Sequence, residues 1–318
     1  MAQQKLHPDA QKVCDLIVAS GRPPFETLSP PEARQAYLAS RPILQPDPAP
    51  VAEVRALEAT GPAGPIPLRL YRGQGADKGR PQPALVYFHG GGWVIGDLES
   101  HDQICRALAN AVPCIVVAVD YRLAPEHKFP AAVDDAIAAT RWIADNAASL
   151  GIDAARLAVA GDSAGGNLAT VVALDARDRG GPRLVFQVLI YPGADMRMEF
   201  PSHARHAQQL PLTRAGMQWF IDHYLRGPAD KADWRASPLV AASLKGLPPA
   251  LVITAGFDPL GDEGNAYAEA MRKAGVSVAH ERFEGQIHGF VSMGRIVADA
   301  GKSIAMAAAA LRQSFHMA

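Results

Sequence analysis

The sequence predicts an α/β fold with a mostly parallel sheet and helices on both faces. Short apolar runs typical of strands buried on both faces alternate with stretches of helical spacing. The chain has 318 residues, of which 48% are hydrophobic, which is enough for one large buried core. One run, Leu157 to Ala160, leads through Gly161–Gly165 into a predicted helix. Strand, Gly-x-Ser-x-Gly and helix in succession are typical of a serine held on a sharp turn.

The first fifty residues predict two helices and a proline-rich connection. Residues 7–20 have helical spacing, and Ser29 followed by two prolines is typical of a helix start. We expect this second helix to end near Ser40, because four prolines between residues 42 and 50 indicate an extended link. Residues 1–50 are therefore predicted to form N-terminal cap helices and a linker.

The predicted catalytic core comprises residues 51–195 and 246–318. It begins with a pair of edge-type strands and continues with six buried strands, which alternate with helices. The strands are predicted over 51–57, 66–71, 84–88, 114–119, 157–160, 184–191, 250–255 and 276–283, and the main helices over 101–111, 130–147, 166–179 and 296–315. Residues 196–245 contain a helix opened by Pro211–Arg214 but no buried strand, which predicts a cap insertion.

Composition excludes several classes of function. The formal net charge is −1 and the basic residues are scattered, so no nucleic-acid partner is expected. No apolar stretch is long enough to span a bilayer, and the first residues lack the apolar core of a signal peptide. Three cysteines without metal-type spacing favour reduced thiols, a cytoplasmic location and no metal site.

A glycine-rich loop follows the first buried strand. It reads His89-Gly-Gly-Gly-Trp, and backbone N–H groups in such a loop can approach and stabilise a negatively charged oxygen. We predict an oxyanion hole made by the N–H groups of Gly91, Gly92 and Ala164, with Gly90 as an alternative donor. A dinucleotide-binding loop would need a third glycine where this chain has isoleucine. His89 is predicted to anchor the loop rather than to act as a base.

A serine nucleophile needs a base, and the base needs a carboxylate that orients it. Asp258 and His288 follow two later buried strands, so Ser163, Asp258 and His288 occur in the chain order and at the strand ends that this chemistry requires. Asp162 lies in the turn itself and cannot reach the far side of the imidazole. His203 lies in the predicted insertion, where a base would be poorly fixed.

Five motifs in order give the chain a resemblance to a known family. They are His89–Trp93, Asp120–Glu126, Gly161–Asn167, Asp258–Leu260 and His288–Phe290. Together they resemble the hormone-sensitive-lipase-like family of α/β-hydrolases, and the turn around the serine is similar to its Gly-Asp-Ser-Ala-Gly subgroup of bacterial esterases. The resemblance implies an eight-stranded α/β-hydrolase sheet with a helical cap, small-molecule esters of short to medium acyl chains as substrates, and neither metal nor organic cofactor.

The predicted reaction is that of a serine carboxylesterase. His288 takes the proton of Ser163, an acyl-enzyme forms, and water hydrolyses it, so activity should rise from mildly acidic to neutral pH. The predicted pocket residues come from the glycine-rich loop, the insertion and the flanks of the triad: Trp93, Phe220, Leu260, Ile287 and Phe290. In the predicted insertion helix, at least two of Met217, Trp219, Phe220 and Tyr224 are expected to form cap core.

Alternative interpretations remain open from the sequence. An amidase, a lactonase or a deacetylase of a small metabolite would use the same triad. A non-catalytic ligand-binding protein would be expected to lack one of the three residues, and this chain has all of them. The exposed edge of the last predicted strand, Val276 to Phe283, could pair two copies into a dimer.

Overall fold

The computed structural model describes residues 5–76 and 79–317. Its eight strands form one sheet, in the order β1-β2-β4-β3-β5-β6-β7-β8. The strands are β1 Glu53–Gly61, β2 Gly64–Arg72, β3 Gln82–Phe88, β4 Ile115–Val119, β5 Ile152–Asp162, β6 Leu184–Ile190, β7 Ala250–Phe257 and β8 Val278–Ile287. Strand β2 pairs antiparallel with β1 and β4, and all other pairs are parallel. The predicted mostly parallel sheet is confirmed.

Helices cover both faces of the sheet. They are α1 Pro8–Ala19, α2 Pro30–Leu44, α3 Asp102–Ala111, α4 Ala131–Asp145, α5 Ala147–Leu150, α6 Ala164–Asp178, α7 Pro201–Arg205, α8 Arg214–Tyr224, α9 Gly261–Lys273 and α10 Ala298–Ser314. The apolar residues of α4, α6 and α9 belong to one core cluster, and those of α3 and α10 belong to a second. Because the central strands are covered on both faces, β3 and β4 are buried along their whole length.

The second helix is longer than the sequence predicts. Ser29 starts it as expected, and Glu32 reaches back so that its carboxylate accepts from the Ser29 backbone N–H at 2.9 Å. The helix continues through Pro42 to Leu44 instead of ending near Ser40. Leu44 is buried in the core cluster that contains α10, and this tertiary contact outweighs the local cost of a proline in the last turn.

Residues 196–245 contain α7, α8 and short 3₁₀ turns but no strand. None of the helices in the described part of the chain is long and apolar enough to cross a membrane. The three cysteines, Cys14, Cys105 and Cys114, are free thiols and all are buried.

Candidate active site

Four motifs follow directly on the carboxyl ends of parallel strands. His89 comes after β3, Ser163 after β5, Asp258 after β7 and His288 after β8. Since parallel strands bring their carboxyl ends to one edge of the sheet, the topology collects these residues in one place. The fold therefore builds the candidate site at this edge.

Ser163 sits on a strained turn between β5 and α6. Its backbone has φ 55° and ψ −117°, a conformation that residues other than glycine rarely adopt. The turn closes because Gly161 and Gly165 have no side chains: a Cβ on Gly165 would overlap the backbone of Phe88, and one on Gly161 would overlap Gly165. The strain holds the serine hydroxyl in the cavity described below.

The structure brings Ser163, His288 and Asp258 together. Nε2 of His288 lies 2.8 Å from the Ser163 hydroxyl, and Nδ1 lies 2.8 Å from Oδ2 of Asp258. Oδ1 of Asp258 accepts from the backbone N–H of Leu260 at 2.8 Å, and the carboxylate is fully buried. In this arrangement Nδ1–H points at the carboxylate, which leaves Nε2 free to accept the hydroxyl proton.

The glycine-rich loop lies beside the serine. Gly91, Gly92 and Ala164 line the same cavity as Ser163, and none of their N–H groups donates a hydrogen bond to another described residue. Gly92 has φ +57°, and a Cβ there would meet the ring of Phe220, so the position requires glycine. The N–H of Gly90 already donates to Asp162 Oδ1 at 3.0 Å, so the structure does not support Gly90 as an alternative donor.

Asp162 supports the glycine-rich loop, a role that our sequence reasoning missed. Besides the Gly90 N–H, its carboxylate accepts from the Tyr87 hydroxyl at 2.8 Å and lies 3.3 Å from Nε2 of His101. Burial raises the pKa of this carboxyl, but His101 and Tyr87 outweigh burial and hold it below its usual value. The sequence signal for this role was the position of Asp162 at the end of β5, because a side chain there can face the loop that follows the neighbouring strand β3.

His89 anchors the same loop from within. Its Nδ1 lies 2.8 Å from the Gly90 carbonyl oxygen, and its ring stacks on Tyr121 with centroids 4.3 Å apart. The Tyr121 hydroxyl donates to the His89 carbonyl oxygen at 2.7 Å. These contacts agree with a loop anchor rather than a base. Burial, followed by the charge of His101, lowers the pKa of His89 to about 4.

The low pKa of His89 predicts acid sensitivity of the fold. An unfolded histidine has a pKa of about 6.5, so below that pH the unfolded state binds a proton that the folded state rejects. Stability present above pH 6.5 is therefore lost as the pH falls toward 4. We expect the free energy of unfolding to drop by about 2–3 kcal/mol more in the wild type than in His89→Asn between pH 7 and 4.5. Urea unfolding at each pH measures this, and parallel curves would contradict it.

A cavity of about 460 Å³ opens beside Ser163 and His288. Trp93, Phe220 and Leu260 line it, as predicted, and Trp93 is held by stacking on Tyr224 with centroids 4.3 Å apart. Helices α1, α2 and α8 contribute eleven further lining residues: Leu16, Ile17, Ala36, Tyr37, Ala39, Ser40, Arg41, Ile43, Leu44, Met217 and Ile221. The N-terminal helices and the segment 196–245 thus face the same space as the serine.

The structure corrects the expectation for Ile287 and Phe290. Neither lines the cavity, and both are fully buried in the core cluster that contains α3 and α10. Ile287 is the last residue of β8, and Phe290 packs against Tyr191 and Phe283. Their neighbours Gly289 and Ser292 line the cavity instead.

His203 is firmly held by its neighbours, whereas the sequence-based argument expected it to be poorly fixed. It is 1% exposed and its Nε2 lies 2.9 Å from Oε2 of Glu263. Glu263 also accepts from the backbone N–H groups of Ala194 and Asp195. This buried pair ties α7 to the start of α9, and it leaves His203 engaged with Glu263 rather than with the serine.

The Asp120–Glu126 motif anchors the loop after β4. Arg122 donates to both carboxylate oxygens of Asp135 in α4, at 2.8 and 2.7 Å. Glu126 accepts from both terminal nitrogens of Arg34, at 2.8 and 2.6 Å, and so joins this loop to α2. The motif therefore connects the sheet to the N-terminal helices beside the cavity.

Comparisons with known proteins agree with this geometry. Residues 85–292 match the α/β hydrolase fold family. The chain is 45% identical over 267 residues to the carboxylic ester hydrolase LipN of Mycobacterium tuberculosis, covering 82% of this chain and 70% of that protein. It is 44% identical to ethyl acetate hydrolase of Pseudomonas putida, over 78% of each chain.

A solved structure shows the same likeness. Ester-hydrolase EH1AB1 from the metagenome of Lake Arreo, in complex with a bipyridine phosphonate derivative, superposes with a TM-score of 0.95 at 46% identity and covers 98% of this chain and 100% of that one. The chain belongs to the hormone-sensitive-lipase-like family of α/β-hydrolases and is a carboxylic ester hydrolase. The predicted family and enzyme class are confirmed.

Proposed function

We propose that the chain hydrolyses short- to medium-chain acyl esters through an acyl-enzyme on Ser163. The observation that carries this proposal is the line of two 2.8 Å contacts from the Ser163 hydroxyl through His288 to Asp258. A serine, a base within hydrogen-bond distance and a carboxylate on the far side of the base form the arrangement of acyl-transfer enzymes.

Acylation begins at the serine hydroxyl. Nε2 of His288 accepts its proton as the oxygen attacks the ester carbonyl carbon, and Asp258 stabilises the imidazolium that forms. The tetrahedral intermediate then collapses. Its carbon–oxygen bond to the alcohol breaks, and the alcohol leaves with the proton from Nε2.

The developing oxyanion needs hydrogen-bond donors. The N–H groups of Gly91, Gly92 and Ala164 line the cavity without an acceptor among the described residues, so they are available to an ester oxygen. Each donor of this kind contributes about 2.7–4 kcal/mol to transition-state stabilisation in comparable sites. The support that Asp162 gives to Gly90 keeps the loop in place without reorganisation.

Deacylation repeats the sequence with water. His288 takes a proton from the water, which attacks the acyl-enzyme, and returns it to Ser163 as the carboxylic acid leaves. Helices α1, α2 and α8 contribute to the wall of the cavity that holds Ser163 and His288, and a substrate bound against this wall would displace bulk water from the reacting atoms. This is the role that we propose for residues 1–50 and 196–245 as a two-part cap on the core.

The cavity predicts the preferred acyl length. Its volume of about 460 Å³ and its mainly apolar walls suit a small or medium acyl group rather than a long lipid chain. Hydrolysis of 4-nitrophenyl esters from acetate to palmitate should therefore give the highest kcat/KM at short to medium chains. An optimum at palmitate would contradict this.

A variant pair sharpens the acyl-length experiment. Phe220→Ala removes a ring that lines the cavity, so it should shift the optimum toward longer chains. Trp219→Ala is the matched control: its ring contacts Phe220 edge-on but is not part of the cavity wall. We expect that control to keep the wild-type optimum.

Assembly and location also remain proposals. Strand β8 is the last in the sheet order, and a two-fold pair of copies through this edge would extend the sheet. Three buried free thiols suit a reducing compartment such as the cytoplasm.

A further inference from the structure

The cavity contains two arginines without acidic partners. Arg22, in the loop after α1, and Arg41, in α2, line the same cavity as Ser163 and His288. Arg41 is only 7% exposed. Within the part of the chain that the structure describes, neither guanidinium lies within 4.0 Å of a carboxylate oxygen. Buried charges are normally paired, so this arrangement requires an explanation.

The acidic side chains that line the cavity have partners of their own. Asp162 lies 3.3 Å from Nε2 of His101, and Asp195 forms a bidentate ion pair with Arg197. Glu263 lies 2.9 Å from Nε2 of His203. Three carboxylates are thereby satisfied by groups that do not include Arg22 or Arg41. The two guanidiniums consequently leave uncompensated positive charge in a mainly apolar space.

Aromatic rings and neutral oxygens hold the guanidiniums. Arg22 lies over the ring of Phe25 at 4.4 Å, and Arg41 lies over the ring of Tyr37 at 4.1 Å. Stacking on a ring occupies the face of a guanidinium and leaves N–H groups at its edge free to donate. The Arg41 guanidinium donates only to uncharged acceptors among the described residues: the Tyr37 carbonyl and the hydroxyls of Ser40 and Ser292.

Arg41 lies close to the reacting residues. It donates to the Ser292 hydroxyl at 3.2 Å, and that hydroxyl donates to the Gly289 carbonyl oxygen at 2.9 Å. Gly289 directly follows His288, so two hydrogen bonds separate the guanidinium from the residue after the base. The guanidinium is thereby linked to the segment that carries the base.

The positive charges of the two arginines also repel each other. Burial, followed by the positive charge of Arg41, lowers the pKa of Arg22. In a low-dielectric cavity two like charges repel more strongly than in water, and an anion between them removes this repulsion. The electrostatic free energy of the site is therefore lower with an anionic group bound than without one.

From this geometry we propose that the site takes esters that carry a second, anionic group, a carboxylate, bound by Arg22 and Arg41 while Ser163 attacks the ester carbonyl. The apolar side chains of the same cavity, which include Leu16, Ile17 and Met217, suit the methylene chain that would separate the two groups. This inference rests on the proposed function of Ser163. The carboxylate can belong to the acyl part, as in a half-ester of a dicarboxylic acid, or to the alcohol part.

Two matched pairs of esters test the proposal. In the acyl arm, monoethyl adipate is compared with ethyl heptanoate. In the alcohol arm, the butanoyl ester of 4-hydroxybutanoate is compared with pentyl butanoate. Acid release is followed by pH-stat titration, and the readout is the ratio of kcat/KM for the anionic ester to that for its neutral partner. Because a ratio is measured, a general loss of folded enzyme cancels.

We expect the wild type to prefer the anionic ester by about tenfold or more in at least one arm, which also identifies the part of the substrate that reaches the arginines. Arg41→Gln should lower this ratio by about tenfold, as expected for a charged hydrogen-bond partner that is buried. Arg22→Gln should lower it about threefold, because Arg22 is more exposed. Arg22 makes few other contacts, so this variant keeps the test valid if Arg41→Gln folds poorly.

The control is Arg183→Gln, which changes an exposed arginine outside the cavity and should keep the wild-type ratio. The proposal is overturned if the neutral esters are hydrolysed while neither arm favours the anion, or if both variants keep the wild-type ratio. Failure of the wild type to hydrolyse any of the four esters would instead overturn the proposed function on which it rests.

Discussion

Ser163→Ala is expected to lower kcat for a neutral acyl ester by roughly a millionfold, with a residual rate about 10³–10⁴-fold above the uncatalysed one from substrate binding and the oxyanion donors. The variant removes the atom that forms the acyl-enzyme, and no other group in the mechanism replaces it. Alanine keeps the Cβ, so the strained backbone at φ 55° is retained and the fold should be unchanged. Initial rates with 4-nitrophenyl butyrate measure the effect.

The matched control for this experiment is Ser149→Ala. Ser149 is an exposed serine in α5 whose hydroxyl donates to the Asn146 carbonyl oxygen at 2.8 Å, and it does not line the cavity. It should keep wild-type kcat and KM. If Ser163→Ala retained a substantial fraction of wild-type activity in a preparation free of other esterases, the nucleophile would have to be a different residue.

Asp258→Asn is expected to lower kcat by about ten thousandfold. The Leu260 N–H donates to Oδ1 of Asp258, so an asparagine at this position would keep its oxygen there and turn its amide NH₂ toward His288. An NH₂ group donates, so Nδ1 of His288 would have to accept. The proton would then sit on Nε2, the atom that must accept the Ser163 proton. The arrangement of the three side chains would be retained, but His288 would be in the tautomer that cannot accept the Ser163 proton.

Asp262→Asn is the control in the same segment. Asp262 lies in the first turn of α9 and forms an ion pair with Arg205. The side chain of Arg205 is 48% exposed. We expect this change to cost less than about 1 kcal/mol in stability and to leave kcat near that of the wild type. An Asp258→Asn enzyme with nearly normal kcat would show that the carboxylate does not set the state of His288.

The sequence predicts the main elements of the site because each follows a recognisable strand. Buried parallel strands are short apolar runs, and the residues after them meet at one edge of the sheet whatever their separation in the chain. Ser163 and His288 are 125 positions apart, yet their reacting atoms lie 2.8 Å apart. The catalytic role of these residues stays a proposal, whereas the fold and the family are confirmed.

The pocket could not be predicted in the same way. Ile287 and Phe290 flank His288 in the chain, but β8 ends there and turns both side chains into the core. The wall contributed by α2 depends on tertiary packing that carries the helix past Pro42, against local preference. Arg22 and Arg41 have no local pattern that distinguishes them from surface arginines. Their significance comes from their place in the cavity beside Ser163 and from missing acidic partners, which only the folded chain reveals.

The most direct test of the central claim is covalent labelling of the wild type by a fluorophosphonate, followed by intact-mass measurement and peptide mapping. Attack by a serine hydroxyl on the phosphorus expels fluoride and leaves a stable phosphonyl ester. The account predicts one phosphonyl group per chain, attached to Ser163, with loss of activity in proportion to labelling. Labelling at another residue, or full labelling of Ser163 with undiminished activity, would contradict it.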